Sequence, residues 1–246
     1  MRKNSLTKNL LVIIPAYNEE RNIKMIINLV KREIPNADIL VVDDGSTDRT
    51  SEIVKMTNVL VLSHKVNLGV GAAFRTGIKF ALRRHYKYVI QIDADGQHDP
   101  KYAHLLLEKL KRGNLDIVIG SRFSGKRRTK WYPLVRYMGV IFYSALIRLI
   151  TKYKIYDATS GYLAMNRRAM RAFVIFYPNR HPAIPSLIFA YLVKLKVAEV
   201  PISFKPRLYG KSMFTKARFI IYHFKVLFDI LRAIHTVKKF RSKLIL

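Results

Sequence analysis

Two aspartates one residue apart, Asp93 and Asp95, close the apolar run Tyr88-Val89-Ile90-Gln91-Ile92 and are followed by Gly96-Gln97-His98-Asp99-Pro100. A run of β-formers that delivers two carboxylates to a turn makes a seat for one hard divalent cation, since residues i and i+2 of a strand face the same side. Oxygen donors of this kind suit Mg2+ or Mn2+ and not zinc. The same residues also fit an Asx turn before a helix that Pro100 opens, where the missing proline N–H costs nothing. A helix–loop–helix calcium site is excluded, because Gly96 falls two places too early and His104 stands where a bidentate glutamate belongs. Polar residues collect after two other apolar runs. Pro15-Ala16-Tyr17-Asn18-Glu19 follows residues 10–14, and Asp43-Asp44-Gly45-Ser46 follows residues 39–42.

The elements that must position these groups can be read from periodicity. Apolar runs at 10–14, 39–42, 59–62, 88–92 and 116–119 predict strands, and the stretches 20–32, 49–56, about 70–84 and 100–112 predict helices. Strands alternating with helices imply an α/β chain with a mostly parallel sheet covered on both faces, its ligand lying beyond the carboxyl ends of the strands. Glu19, Asp43, Asp44, Asp93 and Asp95 then share one rim, and acids clustered there without a cation would repel. Gly69-x-Gly71 lacks the third glycine of a dinucleotide fingerprint, and close helix packing accounts for it better.

With 246 residues, half of them apolar and a quarter charged, the chain has enough material for a full core. It has no cysteine, which excludes disulfides, thiolate nucleophiles and zinc–thiolate sites. The net charge of +29 is unevenly placed: residues 1–120 carry 19 Lys and Arg against 13 Asp and Glu, whereas residues 121–246 carry 26 against 3. The basic half is suited to a polyanion: a membrane surface with anionic lipids, a nucleic acid or a phosphorylated substrate. No charge-free apolar stretch reaches the roughly 20 residues of a membrane span, and Met1 to Lys8 is too polar for a signal peptide. Residues 134–150 and 214–243 read as helices, the latter with Arg218, Lys225, Asp229, Arg232, Thr236, Lys239 and Lys243 on one stripe and a broad apolar face.

As an ordered set, residues 12–20, 42–48, Asn67-x-Gly69-x-Gly71-Ala72 and Asp93-Ala94-Asp95-Gly96-Gln97-His98 resemble the inverting family 2 glycosyltransferases of the GT-A (Rossmann-like) fold. Within them the chain is most similar to the dolichyl- or polyprenyl-phosphate sugar transferases, the group typified by dolichyl-phosphate mannose synthase. That resemblance implies a GT-A domain over 1–212, its nucleotide-sugar half at 1–120 and its acceptor half at 121–212, followed by a basic amphipathic helix at 213–246 on the membrane interface. It implies that Pro15, Tyr17, Glu19, Val42 and Asp44 hold the nucleoside, and that Asp93, Ala94 and Asp95 meet the diphosphate. Asp93, Asp95 and Gln97 would hold the metal. Arg122 and Arg207 would grip the donor diphosphate, and Arg136, Arg207 and Lys211 the acceptor phosphate. Asp157-Ala158-Thr159-Ser160-Gly161-Tyr162 matches a segment near the sugar pocket. The pattern departs at Leu163 and Met213, where the family often has a polar residue and a lysine; Lys211 is the cation best placed to replace the latter.

The implied activity is transfer of a hexose from a nucleotide sugar of the GDP-mannose or UDP-glucose type to dolichyl or polyprenyl phosphate, by an enzyme peripheral to the cytoplasmic face of a membrane. The side chains bear on the acceptor independently. A hydroxyl acceptor needs a general base, and the basic half offers only Asp157, Glu199 and Asp229, of which Asp157 is the credible one. A phosphate monoester, with a second pKa of about 6, is already ionised near neutrality and needs cations to position it. Asp95, Arg122 and Asp157 are therefore the candidate catalytic residues, with transfer to a glycan or glycolipid hydroxyl as the alternative. A polyanion-binding protein is the non-enzymatic alternative. Lys126-Arg127-Arg128 is the only tight basic cluster and no groove-reading motif accompanies it, so no specific nucleic acid is expected.

Overall fold

Every residue of strand β1 (Leu10–Ala16) is buried, and its side chains alternate between two separate cores. Leu11 and Ile13 join the layer containing Phe74, Phe173 and Phe189, while Leu10, Val12 and Ile14 join that of Ile23, Ile27 and Leu106. This is the pattern of a strand covered on both faces. The computed structural model describes residues 9–124, 132–205 and 216–240. Lys126–Arg128, Arg207, Lys211 and Met213 lie outside them.

The sheet has seven strands in the order β3-β2-β1-β4-β6-β5-β7, where β2 is Asp38–Asp43, β3 Leu60–Ser63, β4 Tyr88–Gln91, β5 Ile117–Ser121, β6 Leu163–Asn166 and β7 Val197–Pro201. All neighbours are parallel except β4–β6 and β5–β6. Helices α1 (Ile23–Glu33), α2 (Thr50–Lys55), α3 (Val70–Arg83) and α4 (Ala103–Arg112) connect the first five strands, α4 following a 3-10 turn at Pro100–Tyr102. Chain order reverses direction between β1 and β4, so the carboxyl ends of β1, β2 and β4 border one crevice.

Two strands differ from their expected form. Strand β6 carries no strand signature in Leu-Ala-Met-Asn, yet it pairs with both β4 and β5. Being antiparallel, it starts where β4 ends, Leu163 opposite Gln91, and so delivers residues 157–162 to the crevice. Leu163 is itself buried in the core, which accounts for an apolar residue at that position. Strand β4 stops at Gln91, and Asp93 and Asp95 sit on a turn with Gly96 at φ +80°, so strand alternation does not align them.

The second half adds α5 (Leu134–Thr151), α6 (Arg167–Ile175), α7 (Ala183–Leu192) and α8 (Lys216–Phe240). Helix α5 is longer than its charge-free run because it includes Arg136 and Arg148 near its ends. Its 18 residues, with a mean hydropathy of 1.5, make it long and apolar enough to cross a membrane, contrary to the expectation of no such segment. One side, Val140, Tyr143 and Ile147, is buried, while Leu134, Val135, Met138, Ile141, Phe142 and Leu149 are exposed.

The Gly69-x-Gly71 pair is a packing device, as expected. Gly71 N–H donates to the Asn179 carbonyl at 2.7 Å, and a Cβ on Gly71 would lie 1.9 Å from the Pro178 carbonyl oxygen. Replacing Gly71 by alanine is expected to destabilise the fold by about 1–3 kcal/mol through overpacking against backbone. Thermal unfolding checks this; an unchanged Tm would contradict it.

Candidate active site

The nucleoside side of the rim is laced together by short polar side chains. Asn18 Oδ1 accepts from Thr47 N–H (2.8 Å), Glu19 N–H donates to Thr50 Oγ1 (2.8 Å), and Glu20 N–H donates to Asp48 Oδ2 (3.1 Å). The loops after β1 and β2 thus form one surface. Of the residues assigned there, Pro15 and Val42 are buried in the sheet, Tyr17 is exposed, and Glu19 is half-buried with its carboxylate held by Asn22 Nδ2 at 2.6 Å.

Asp44 is 2% exposed and its oxygens have three partners, all in the segment between β3 and α3. Oδ1 accepts from Leu68 N–H (3.1 Å) and faces His64 Nδ1 (2.7 Å), while Oδ2 accepts from Gly69 N–H (2.7 Å). His64 Nε2 lies 2.9 Å from Thr76 Oγ1 on α3. Asp44 is therefore the knot that fastens the ends of β2 and β3 to the start of α3. Sequence reasoning did not single out His64, which lies twenty residues from Asp44.

At the end of β4, Asp93 Oδ1 accepts from Gln91 Nε2 at 3.0 Å, while Oδ2 faces His98 Nε2 at 3.7 Å. His98 Nδ1 accepts from Asp93 N–H at 3.0 Å, which leaves the ring proton on Nε2, pointing toward the carboxylate. The ring stacks on Tyr162 (centroids 4.9 Å apart) and meets Phe204 edge-on (5.1 Å). Asp95 Oδ1 accepts from Gln97 N–H at 3.0 Å. Gln97 faces the other way: its carbonyl accepts from Lys205 N–H at 3.1 Å and its Nε2 reaches the Lys205 carbonyl at 3.5 Å. The role of Gln97 visible here is to clip the 202–205 segment onto the aspartate loop. Lys205 Nζ also pairs with Asp99 (3.0 Å), so the chain is anchored beside the rim two residues before Arg207.

Two observations bear on whether a metal fits. The Asp93 side chain remains 34% exposed, and Gly161 keeps the space before its Oδ2 open, a Cβ there coming within 3.4 Å. Gln91, whose Nε2 donates to this carboxylate, has its Oε1 buried without a hydrogen-bond partner. Among the described residues no three His, Cys, Asp or Glu side chains converge as a complete cage. Two carboxylates with room for substrate oxygens is the donor set that a Mg2+-like ion shares with a diphosphate. The residues present fit such an ion.

Replacing His98 by phenylalanine keeps the aromatic packing but leaves Asp93 N–H without its acceptor, a loss of about 1–3 kcal/mol at a buried site. The expected result is a folded protein whose affinity for Mg2+ or Mn2+ falls several-fold. An unchanged metal titration would show that His98 only fills space. The signal for His98 and Gln91 was present in the sequence, as polar residues flanking or interrupting an otherwise apolar strand.

On the acceptor side, Arg122 and Asp157 form a two-pronged ion pair. Nε donates to Oδ2 (2.8 Å), Nη2 to Oδ1 (2.7 Å), and Arg122 N–H also donates to Oδ2 (2.9 Å). Nη2 reaches Thr159 Oγ1 at 2.7 Å, and the guanidinium lies over Phe123, Tyr132 and Phe204 at 5.3, 4.8 and 4.9 Å from their ring centres. Burial alone would lower the Arg122 pKa, but the hydrogen bonds and charge of Asp157 raise it. Behind the pair, Glu199 accepts from Asp157 N–H and Tyr156 N–H, each at 2.8 Å, and burial pushes its pKa up.

Asp157 is 0% exposed and both its oxygens are taken. This geometry makes it the anchor of Arg122, not a base open to a substrate hydroxyl. Sequence reasoning named both residues but not their pairing across 35 positions. Arg136 stands in the first turn of α5, beside Tyr137, whose ring meets Phe123 at 5.1 Å.

Comparison with known proteins agrees with this architecture. Residues 11–173 match the family model described as glycosyl transferase family 2. Polyprenol monophosphomannose synthase of Mycolicibacterium smegmatis is 33% identical over 224 residues, covering 84% of this chain and 81% of that one. A UDP-N-acetylglucosamine–dolichyl-phosphate N-acetylglucosaminyltransferase of Methanococcus voltae is 29% identical over 244 residues, covering 91% and 95%. The fold resembles glucosyl-3-phosphoglycerate synthase of Mycobacterium tuberculosis, solved with Mn2+, UDP-glucose and phosphoglyceric acid, at a TM-score of 0.71 and 19% identity over 91% of this chain and 79% of that one. The chain belongs to glycosyltransferase family 2. It is a glycosyltransferase of the GT-A type.

Proposed function

We propose that this enzyme transfers a hexose from a nucleotide diphosphate sugar to dolichyl or polyprenyl phosphate, with inversion, on the cytoplasmic face of a membrane. The observation that carries the reading is the state of Asp157: the best-placed acid of the acceptor side is consumed by Arg122, so the acceptor must arrive already nucleophilic. A phosphate monoester does. Relatives named for polyprenyl- and dolichyl-phosphate transfer support the same acceptor class.

In this reading a phosphate oxygen of the acceptor attacks the anomeric carbon from the side opposite the leaving group. The new C–O bond forms as the bond to the diphosphate breaks, and its electron pair leaves with the nucleoside diphosphate. No proton has to be removed from the dianionic acceptor. Asp93 and Asp95 would hold a Mg2+ or Mn2+ ion, which supplies Lewis-acid neutralisation of the departing diphosphate. Arg122, immobilised by Asp157 and Thr159 and packed among three rings, offers a preorganised cation to the diphosphate. Arg136, with Arg207 and Lys211, would position the acceptor phosphate. The exposed Tyr17 and the half-buried Glu19 would face the nucleoside, over a surface that Asp44 stiffens from below.

Membrane contact is supported by the exposed side of α5 and by Phe224, Leu227, Phe228 and Leu231 of α8. Tyr143 of α5 stacks on His223 of α8 with ring centres 5.5 Å apart, so the two helices adjoin. An apolar surface of this kind flanked by cations suits the interface of an anionic leaflet.

The test is transfer of label from a panel of nucleotide sugars into an extractable polyprenyl phosphate. One donor should label the lipid, chelation should abolish the signal, and Mg2+ or Mn2+ should restore it. Hydrolysis of a donor with no lipid product would sink the acceptor assignment.

A further inference from the structure

Residues 176–182 join α6 to α7 and are clamped against the start of α3. Arg75 Nη1 donates to the Tyr177 carbonyl (2.8 Å) and Nη2 to Asn179 Oδ1 (2.9 Å). Between this segment and α8 lies a cavity of about 650 Å³, lined on its polar side by Arg75, Arg180, His181, Lys225, Asp229 and Arg232. None of its lining is shared with the aspartate turn or with Arg122.

The charge of this cavity is one-sided. Arg75 spends its donors on neutral acceptors, so its charge is not cancelled, and the only acid of the lining, Asp229, pairs with Arg232 at 2.9 Å. Four guanidinium and ammonium groups thus face one carboxylate. His181 registers the excess: burial first, then Lys225 and Arg180, push its pKa down against the opposing pull of Asp229.

The outer lip of the cavity is apolar. Phe224 and Phe228 belong both to its lining and to the exposed stripe Phe224, Leu227, Phe228 and Leu231, whose spacing places all four on one face of α8. Lys225 and Arg232 follow Phe224 and Leu231 by one residue each, so the cations border the stripe. A ligand matching both features carries a phosphate on an apolar tail.

We propose that this cavity seats the phosphate of an anionic phospholipid headgroup, with the acyl chains along the α8 stripe, and thereby sets how the enzyme sits on the bilayer. The inference rests on the interfacial placement of α8. It adds a lipid site separate from the one that receives the acceptor.

The experiment measures binding of the full chain to vesicles of phosphatidylcholine alone and mixed with phosphatidylglycerol. Removing two headgroup-level cations with Arg180→Ala and Lys225→Ala should weaken binding to the mixed vesicles by roughly thirtyfold, at about five- to sixfold per cation. The charge-conserving pair Arg180→Lys and Lys225→Arg should retain binding. Lys79→Ala with Arg83→Ala, which removes two exposed cations of α3 far along the helix from Gly69, should lose much less. Equal losses for the α3 pair and the cavity pair would overturn the site in favour of diffuse charge. Release from mixed vesicles by inorganic phosphate, but not by chloride at equal ionic strength, would assign the cavity to free phosphate and overturn the headgroup. Phe224→Ser with Phe228→Ser separates the two readings. If that pair binds all vesicles as the parent does, the interfacial placement of α8 falls. If it loses binding while the cavity pair loses none on mixed vesicles, only the cavity assignment falls.

Discussion

Replacing Asp95 by asparagine is expected to lower sugar transfer by roughly two to three orders of magnitude, the cost of removing one group that stabilises a developing charge. Asp95 stands on the turn after β4, and its Oδ1 accepts from Gln97 N–H at 3.0 Å. Asparagine keeps an acceptor for that bond, so the turn and the clip to Lys205 should persist while the negative charge is lost. The charge is what a divalent ion requires, since the described residues offer no third carboxylate to make good the loss. Asp95→Ala should be at least as inactive and somewhat less stable. The measurement is turnover at saturating metal and donor, together with thermal unfolding. Full activity in Asp95→Asn would refute the metal assignment, and loss of fold in both variants would move Asp95 into the scaffold.

The second large effect concerns stability more than rate. Asp157→Ala is expected to destabilise the protein by about 3–5 kcal/mol, because it leaves the guanidinium of Arg122 buried with no counter-charge. The Arg122 side chain is only 11% exposed, so water cannot replace the lost partner. For a chain of this size the Tm should fall by roughly 10 °C. The double replacement Arg122→Met with Asp157→Val should recover part of that stability, since apolar residues of similar volume often substitute well for a buried pair, while Arg122 N–H still lacks its acceptor. It should not recover transfer, because the cation is gone. A general base would behave differently: losing Asp157 would abolish turnover and leave stability nearly intact. Calorimetry and initial rates on these two variants and the parent separate the two roles.

The difference between anchor and base also marks where the sequence stopped being readable. Strands β1, β2 and β4 were legible because burial on both faces leaves nearly unbroken apolar runs, and the aspartates at their ends stood out against those runs. Strand β6 was not, because four residues without a β-branched side chain become a strand only through pairing on both sides. Its antiparallel direction is what brings Asp157, Thr159 and Gly161 to the crevice, so the acceptor side could be named from motif but not assembled. Asp93 and Asp95 were recognised as a pair for a reason that the structure replaces: a turn, fixed by Gly96 and by His98 behind Asp93, presents them, not strand alternation. Asp44 shows the same limit. Its position at the rim was evident, but the three backbone and ring donors that consume it come from residues 64–69, which meet it only in the folded chain. Helix α5 was undercounted because charged residues near a helix end do not stop an apolar helix.

The central claim, that the acceptor is a lipid phosphate needing no protein base, is tested most directly by offering two acceptors of one chain length, polyprenyl phosphate and the corresponding polyprenol, with the same donor and metal. Transfer to the phosphate with none above background to the alcohol is the expected result. Comparable transfer to the alcohol, abolished by Asp157→Asn in a protein of unchanged stability, would contradict the account and restore Asp157 as the base.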